Sequence, residues 1–172
     1  FRDAIEANPK NPDAWYWRAR VAFLGEAWGR VLDDTQSALK IQGNHLGAYT
    51  LNLAAQYAQA NPPSPQMADQ IVALPINDPE LLLLLARGFA AKKDSQRAKA
   101  LVEKAVQLDP KNPFCHQQKG YVLIALDAPK GEILAAFAEA VANGPDDPVQ
   151  PMLRGLLYLE RFADREKAAA DF

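Results

Sequence analysis

The residues of this chain that could do chemistry are few and far apart. The histidines His45 and His116 are separated by 71 positions, and the one cysteine, Cys115, stands next to the second of them. A cysteine beside a histidine suggests a nucleophilic pair. Neighbours on a helix, however, point about 100° apart and do not face each other. We therefore predict structural roles for Cys115 and His116.

Other patterns that carry chemistry are absent from the sequence. It has no His/Glu pair at metal-ligand spacing, no glycine-rich phosphate loop and no nucleophile elbow. One cysteine can form neither an internal disulfide nor a cysteine metal cluster. We predict no catalytic residue, no cofactor, no metal site and no enzymatic activity, except in flanking sequence that is not in view.

The composition is that of an ordinary folded protein, with 49% hydrophobic and 23% charged residues. The net charge of −2 gives no electrostatic reason to bind nucleic acid or an anionic membrane. The longest apolar run, 81–86, is far shorter than the roughly 18 residues of a membrane span. Because the sequence begins at Phe1 without methionine, we expect a fragment, and a single thiol fits the cytoplasm and the periplasm equally.

Helix start and stop signals recur along the chain with a period of about 34 residues. Asn or Asp followed by Pro is a favourable helix start, and it occurs with prolines at positions 12, 79, 113 and 148. The first interval spans two units, so a further start is expected near Leu46. Stops keep the same register at Pro9, Pro110 and Pro145. Small residues before the stops repeat with the same period, at Ala4, Ala38, Ala105 and Ala140. Gly43 takes the place of one stop, as a left-handed helix C-terminus.

Each unit divides into two helices, and no stretch alternates long enough to form a strand. We predict a single domain, 1–172, that begins with the end of a preceding repeat at 1–11. Complete repeats are predicted at 12–45, 46–78, 79–112 and 113–147, followed by a partial repeat at 148–172. The predicted helices are 12–24, 29–41, 46–60, 66–74, 79–92, 95–108, 113–126, 131–143 and 148–162, with a last one from Asp164.

A two-helix unit of this length resembles the tetratricopeptide repeat. The unit from Pro79 matches the family pattern best, at Leu82, Leu85, Ala86, Phe89, Ala98, Val102, Ala105, Asp109 and Pro110. Small residues at one first-helix position let paired helices approach closely: Ala19, Ala86, Gly120 and Gly155. The resemblance covers essentially the whole chain. It implies an all-α fold, a right-handed superhelical solenoid of antiparallel helix pairs whose stacked units share one core.

The departures from the family pattern are local. Arg18, Lys119 and Arg154 replace a medium-sized apolar residue. We expect their stems to pack on the helices while their charges reach water or a carboxylate such as Asp33 or Asp34. The unit 46–78 matches least, because the proline-rich segment 61–65 interrupts it. That break is either a tolerated irregularity or a contact surface in its own right.

In this family the concave side of the stack, lined by the first helices, usually binds an extended peptide or a partner helix. The matching positions hold aromatic, aliphatic and arginine residues, the types that anchor interfaces. They are Tyr16, Arg20, Phe23, Leu24, Thr50, Ala54, Tyr57, Leu83, Arg87, Gln117, Tyr121 and Ile124, with Met152 and Leu156 in the last unit. The Lys and Asn clamp with which co-chaperones of the family hold a C-terminal carboxylate is absent.

The sequence therefore predicts a protein–protein interaction module or scaffold, with a bacterial assembly or secretion system as one setting. The expected partner is a protein or peptide, with no nucleic acid and no direct membrane contact, while self-association stays open. One alternative is a self-assembling or spacer region of a larger protein. Another is a component similar to the bacterial repeat proteins of cytochrome c maturation or exopolysaccharide secretion.

Overall fold

The computed structural model describes residues 1–60 and 64–172, and all regular elements in this part of the chain are α-helices. The all-α prediction is confirmed. Contacts divide the chain into two compact units, Phe1–Ile76 and Asn77–Phe172. The predicted single domain and repeat boundaries stay predictions. Of the predicted proline-rich contact surface, Asn61, Pro62 and Pro63 lie outside the described residues.

Unit 1 contains the helices α1 (Arg2–Ala7), α2 (Pro12–Leu24), α3 (Trp28–Ile41), α4 (Leu46–Gln59) and α5 (Pro65–Ala73). Unit 2 contains α6 (Pro79–Ala91), α7 (Ser95–Leu108), α8 (Pro113–Ala125), α9 (Lys130–Asn143), α10 (Val149–Glu160) and α11 (Arg165–Asp171). The pairs α2/α3, α6/α7, α8/α9 and α10/α11 pack as helical hairpins. First helices also touch, α2 with α4 and α6 with α8.

The helix starts follow the signals in the sequence. The side chains of Asn11, Asp78 and Asn112 each accept a hydrogen bond from a backbone N–H in the first turn, before a proline that begins the helix. The unassigned start near Leu46 is capped by His45, whose Nδ1 accepts from the Ala48 N–H at 3.1 Å. An imidazole nitrogen thus replaces the usual Asn or Asp oxygen. This start is therefore not marked by an Asn-Pro or Asp-Pro motif in the sequence.

The tight turns inside the hairpins depend on left-handed residues that are not glycine. Glu26, Lys93, Asp127 and Ala163 have φ between 52° and 60°. In all four turns the following N–H reaches back to a helix carbonyl, as from Ala27 to Ala22 at 2.9 Å. The prediction of a left-handed Gly43 is wrong, because no described glycine has a positive φ and Gln42 follows α3 with φ −133°.

Small residues set the distance between the paired helices, as predicted. Ala19 and Ala86 are fully buried. An added Cβ at Gly120 of α8 would stand only 2.4 Å from the Phe137 ring of α9, and one at Gly155 would stand 2.8 Å from the Phe172 ring. The ring of one helix therefore occupies the space that a side chain of the other would need.

Two of the three charged residues that depart from the family pattern form bidentate ion pairs within their hairpins. Arg18 donates to both Asp34 oxygens at 2.8 and 2.6 Å, and Arg154 donates to both Asp171 oxygens at 2.9 and 2.5 Å. The expectation that Arg18 reaches a carboxylate is confirmed. Lys119 differs, since it makes no hydrogen bond or ion pair with any residue that the structure describes.

We expect Gly120→Ala to lower the free energy of unfolding by about 1–3 kcal/mol, because the added Cβ would overlap the buried Phe137 ring and force it to shift. Gly131→Ala is the matched control, since nothing lies within 4 Å of a Cβ there. It should stabilise α9 by about 0.5–1 kcal/mol. Urea titrations of both variants measure the difference, and equal midpoints would contradict the close approach.

Candidate partner-binding groove

Cys115 and His116 have structural surroundings. The carbonyl oxygen of Pro110 lies 2.8 Å from His116 Nε2, and a carbonyl can only accept, so this nitrogen donates. The indole Nε1 of Trp15 donates in the same way to the Pro9 carbonyl at 3.0 Å, at the matching position of the first hairpin. His116 thus ties a helix to the loop before it.

The described residues contain no cluster of three or more His, Cys, Asp or Glu side chains that could hold a metal ion. Within the same part of the chain, no helix is long and apolar enough to span a membrane.

In unit 1 the structure buries six of the seven predicted groove residues: Tyr16, Arg20, Phe23, Thr50, Ala54 and Tyr57. Leu24 is exposed. The Tyr16 ring on α2 lies where a side chain at Gly47 of α4 would otherwise stand, and a Cβ there would be 2.7 Å from it. The Arg20 guanidinium stacks over the exposed Trp17 ring at 4.6 Å. These buried positions stay predictions as partner contacts.

In unit 2 the predicted residues spread over three degrees of exposure. Leu83 is buried, Gln117 and Ile124 are half-buried, and the exposed residues are Arg87, Tyr121, Met152 and Leu156. Gln117 accepts a hydrogen bond from the Gln150 amide at 3.3 Å. Ile124 packs against the core of the α8/α9 hairpin.

Arg87 and Tyr121 meet at one open cleft between α6 and α8, with a volume of about 420 Å³. Its remaining lining residues are Ala90, Ala91, Gln118, Val122 and Ala125. They lie three or four positions from Arg87 or Tyr121, or directly beside them, on the same two helices. This spacing is the signal in the sequence that could have found them.

The two predicted anchors of this cleft are held differently. The Tyr121 ring, 38% exposed, meets the buried Phe137 ring edge to face, with centroids 5.4 Å apart. Arg87 is exposed and makes no hydrogen bond or ion pair within the described ranges. The cleft thus combines a supported aromatic edge with a cation free to meet an acceptor.

Known proteins built from similar pairs of antiparallel helices match this chain. Residues 1–42 match the family model described as tetratricopeptide repeat. The solved structure of TTC0263, a thermophilic TPR protein of Thermus thermophilus, aligns with a TM-score of 0.67 at 20% identity. The alignment covers 92% of this chain and 87% of that one. This chain has the tetratricopeptide-repeat fold.

Two further structures share the TPR fold. YrrB, a TPR protein with an unusual peptide-binding site, aligns with a TM-score of 0.54 and 20% identity over 99% of this chain and 88% of its own. PilW, a widely conserved type IV pilus biogenesis factor, gives 0.66 and 15% over 99% of this chain and 79% of its own. The comparison with curated proteins finds no match. The predicted fold, a solenoid built from antiparallel helix pairs, is confirmed.

Cys115 should be unreactive while the protein is folded. Burial raises the pKa of its thiol to about 11 and leaves it 1% exposed. At pH 8 only about one thiol in a thousand is then ionised, so alkylation should be on the order of a hundredfold slower than in the unfolded chain. Iodoacetamide labelling followed by mass spectrometry measures both rates. Equal rates would contradict a buried, structural cysteine.

Proposed function

We propose that this TPR chain is a protein-interaction module that holds a segment of a partner protein in the cleft between α6 and α8. The observation that supports this most directly is the meeting of Arg87 and Tyr121 at one open cleft. Arginine and tyrosine are enriched among the residues that dominate binding energy at interfaces.

The chemistry of the cleft indicates what it would hold. Arg87 would donate hydrogen bonds to a carboxylate or a backbone carbonyl of the partner, and it has no internal acceptor to give up among the described residues. The Tyr121 ring would pack on an apolar side chain, and its support by Phe137 reduces the entropy lost on binding. Ala90, Ala91 and Ala125 leave room for that side chain.

The TPR fold supports the coarser statement that the chain is a protein-interaction scaffold. Among the structures with this fold, YrrB has a peptide-binding site and PilW is a pilus biogenesis factor. They make a peptide ligand and a bacterial assembly or secretion system reasonable proposals here. The absence of enzymatic activity and of a nucleic-acid partner both stay predictions.

Arg87→Glu and Tyr121→Ala should each weaken peptide binding at least about tenfold, which is the effect of losing one interface anchor. Peptides are first selected from a phage-displayed random library on the unchanged protein. Their affinities for each variant are then measured by fluorescence polarisation. Reversal of an exposed charge on a second helix, Arg30→Glu, is the matched control and should leave the affinity unchanged.

Circular dichroism separates a lost contact from a lost fold, since both variants should keep the helix content of the unchanged protein. Selected peptides that bind all three variants equally would contradict the assignment of this cleft. If Arg30→Glu lowers the peptide affinity more than the other two variants do, the binding surface lies on the second helices instead.

A second candidate function, self-association, is favoured by one specific observation. The exposed apolar residues of α10 fall at helical spacing on one face: Val149, Met152, Leu156 and Leu159. If this face joins two copies, light scattering should give a molecular mass that rises with concentration. Leu156→Glu should then restore the monomer mass of 18.9 kDa. A constant monomer mass for the unchanged protein would exclude this candidate.

A further inference from the structure

The hairpins α2/α3, α6/α7, α8/α9 and α10/α11 each have a pair of equivalent positions, one on each helix. On the first helix the position lies six residues after the starting proline, at Arg18, Leu85, Lys119 and Arg154. On the second helix it lies six residues after the first helical residue, at Asp34, Leu101, Ala136 and Asp171. Arg18 and Arg154 meet their aspartates in bidentate ion pairs.

The hairpin of α8 and α9 breaks this matching. Leu85 and Leu101 are both apolar and buried, but Lys119 is a cation whose equivalent position on α9 holds the small, buried Ala136. Lys119 and Ala136 are 17 residues apart, the separation of Arg154 and Asp171, so the helices are in the same register. The short alanine leaves unfilled the place that a carboxylate occupies in the other two hairpins.

Lys119 and Ala136 line an open cleft of about 310 Å³, whose other lining residues also belong to α7, α8 and α9. It is a different cleft from the one between α6 and α8. Val102, Val122 and Leu123 give it buried apolar walls. Lys119 contributes an ammonium group with no hydrogen bond or ion pair to any described residue. An apolar wall beside a cation that makes no ion pair suits a ligand with a carboxylate at one end and a short hydrocarbon chain.

The other charges of the cleft lie at its rim. Lys99 of α7 and Glu132 of α9 form an ion pair across the opening at 3.3 Å. Glu103 and Glu139 are exposed, so water and salt screen their repulsion of an anion. Lys119 is half-buried and makes no ion pair with a described residue, so it is the lysine of the cleft that is available to an anion.

We propose that this cleft binds a short aliphatic carboxylate in the place that Asp34 and Asp171 fill in their own hairpins. The carboxylate would accept hydrogen bonds from Lys119, and the hydrocarbon chain would lie on Val102 and Val122. The same chemistry is presented by a small free acid and by a glutamate side chain of a partner protein.

The test titrates the protein with butyrate and with its neutral counterpart butyramide, following backbone amide signals by NMR. Butyrate should bind at least about tenfold more tightly than butyramide, with shifts centred on Lys119 and Ala136. Lys119→Met keeps the stem without the charge and should abolish the difference. Ala136→Asp should do the same by supplying the carboxylate from within, and it should raise the melting temperature.

A second arm distinguishes the two sources of the ligand. N-acetyl-glutamate amide presents the glutamate side chain as it occurs in a peptide, and tighter binding of this probe than of butyrate would assign the cleft to a partner's side chain. Tighter binding of butyrate would assign it to a free acid. Absence of a saturable shift with both probes would overturn the proposal, as would equal binding of butyrate and butyramide.

A surface variant controls for ionic strength and for variants that fail to fold. Lys111→Met removes an exposed lysine outside the cleft and should leave the preference for butyrate intact. If this variant loses the preference as fully as Lys119→Met, the effect is one of net charge and the proposal is wrong. The groove between α6 and α8 shares only Val122 with this cleft, so failure here leaves the proposed function standing.

Discussion

The close approach of two helices at Gly120 is the constraint on which the candidate groove depends. Because Gly120 has no side chain, the Phe137 ring of α9 lies directly on the backbone of α8. The same ring meets the edge of Tyr121 on the next position of α8. A packing requirement inside one hairpin thereby fixes the orientation of an aromatic side chain on the outer surface. The contact between Tyr121 and Phe137 thus connects the candidate groove to the core of unit 2.

The regular repeat and its departures have different roles in this chain. The regular positions build the hairpins: small residues where helices cross, prolines where they begin and a donor to the preceding loop from Trp15 or His116. The departures alter a hairpin without changing its backbone. Arg18 and Asp34 form an ion pair between the helices of the first hairpin. Lys119 and Ala136 form none, and they line an open cleft. Repeats of one fold can differ in chemistry at such positions, because the stacked helices accept different residue types there.

Much of the fold could be predicted from the sequence, because its signals are local. Asn11, Asp78 and Asn112 determine where helices begin through bonds to the nearest backbone N–H groups, and the structure places those starts at the predicted prolines. The left-handed turns were harder to predict, since Glu26 and Lys93 take a conformation usually read from glycine. The cap supplied by His45 could not be predicted either, because histidine is an unusual residue at a helix N-cap.

The groove could be predicted only in part, because exposure depends on how neighbouring helices are rotated and not on a residue's own helix. Tyr16 and Tyr121 lie on the same face of their first helices, one turn apart in the repeat, at four and eight residues after the starting proline. Tyr16 is buried because Gly47 of α4 leaves space for its ring, a contact 31 positions away in the sequence. The sequence of α2 alone does not predict the burial of Tyr16, because the contact comes from α4.

Chemical-shift mapping tests the central claim, that the first helices of unit 2 hold a partner segment, most directly. Backbone amide spectra are recorded as a library-selected peptide is added to the isotope-labelled protein. We predict that shifts concentrate along α6 and α8, around Arg87, Ala91, Tyr121 and Ala125. Shifts that concentrate on the outer faces of α7 and α9, or within unit 1, would contradict this claim.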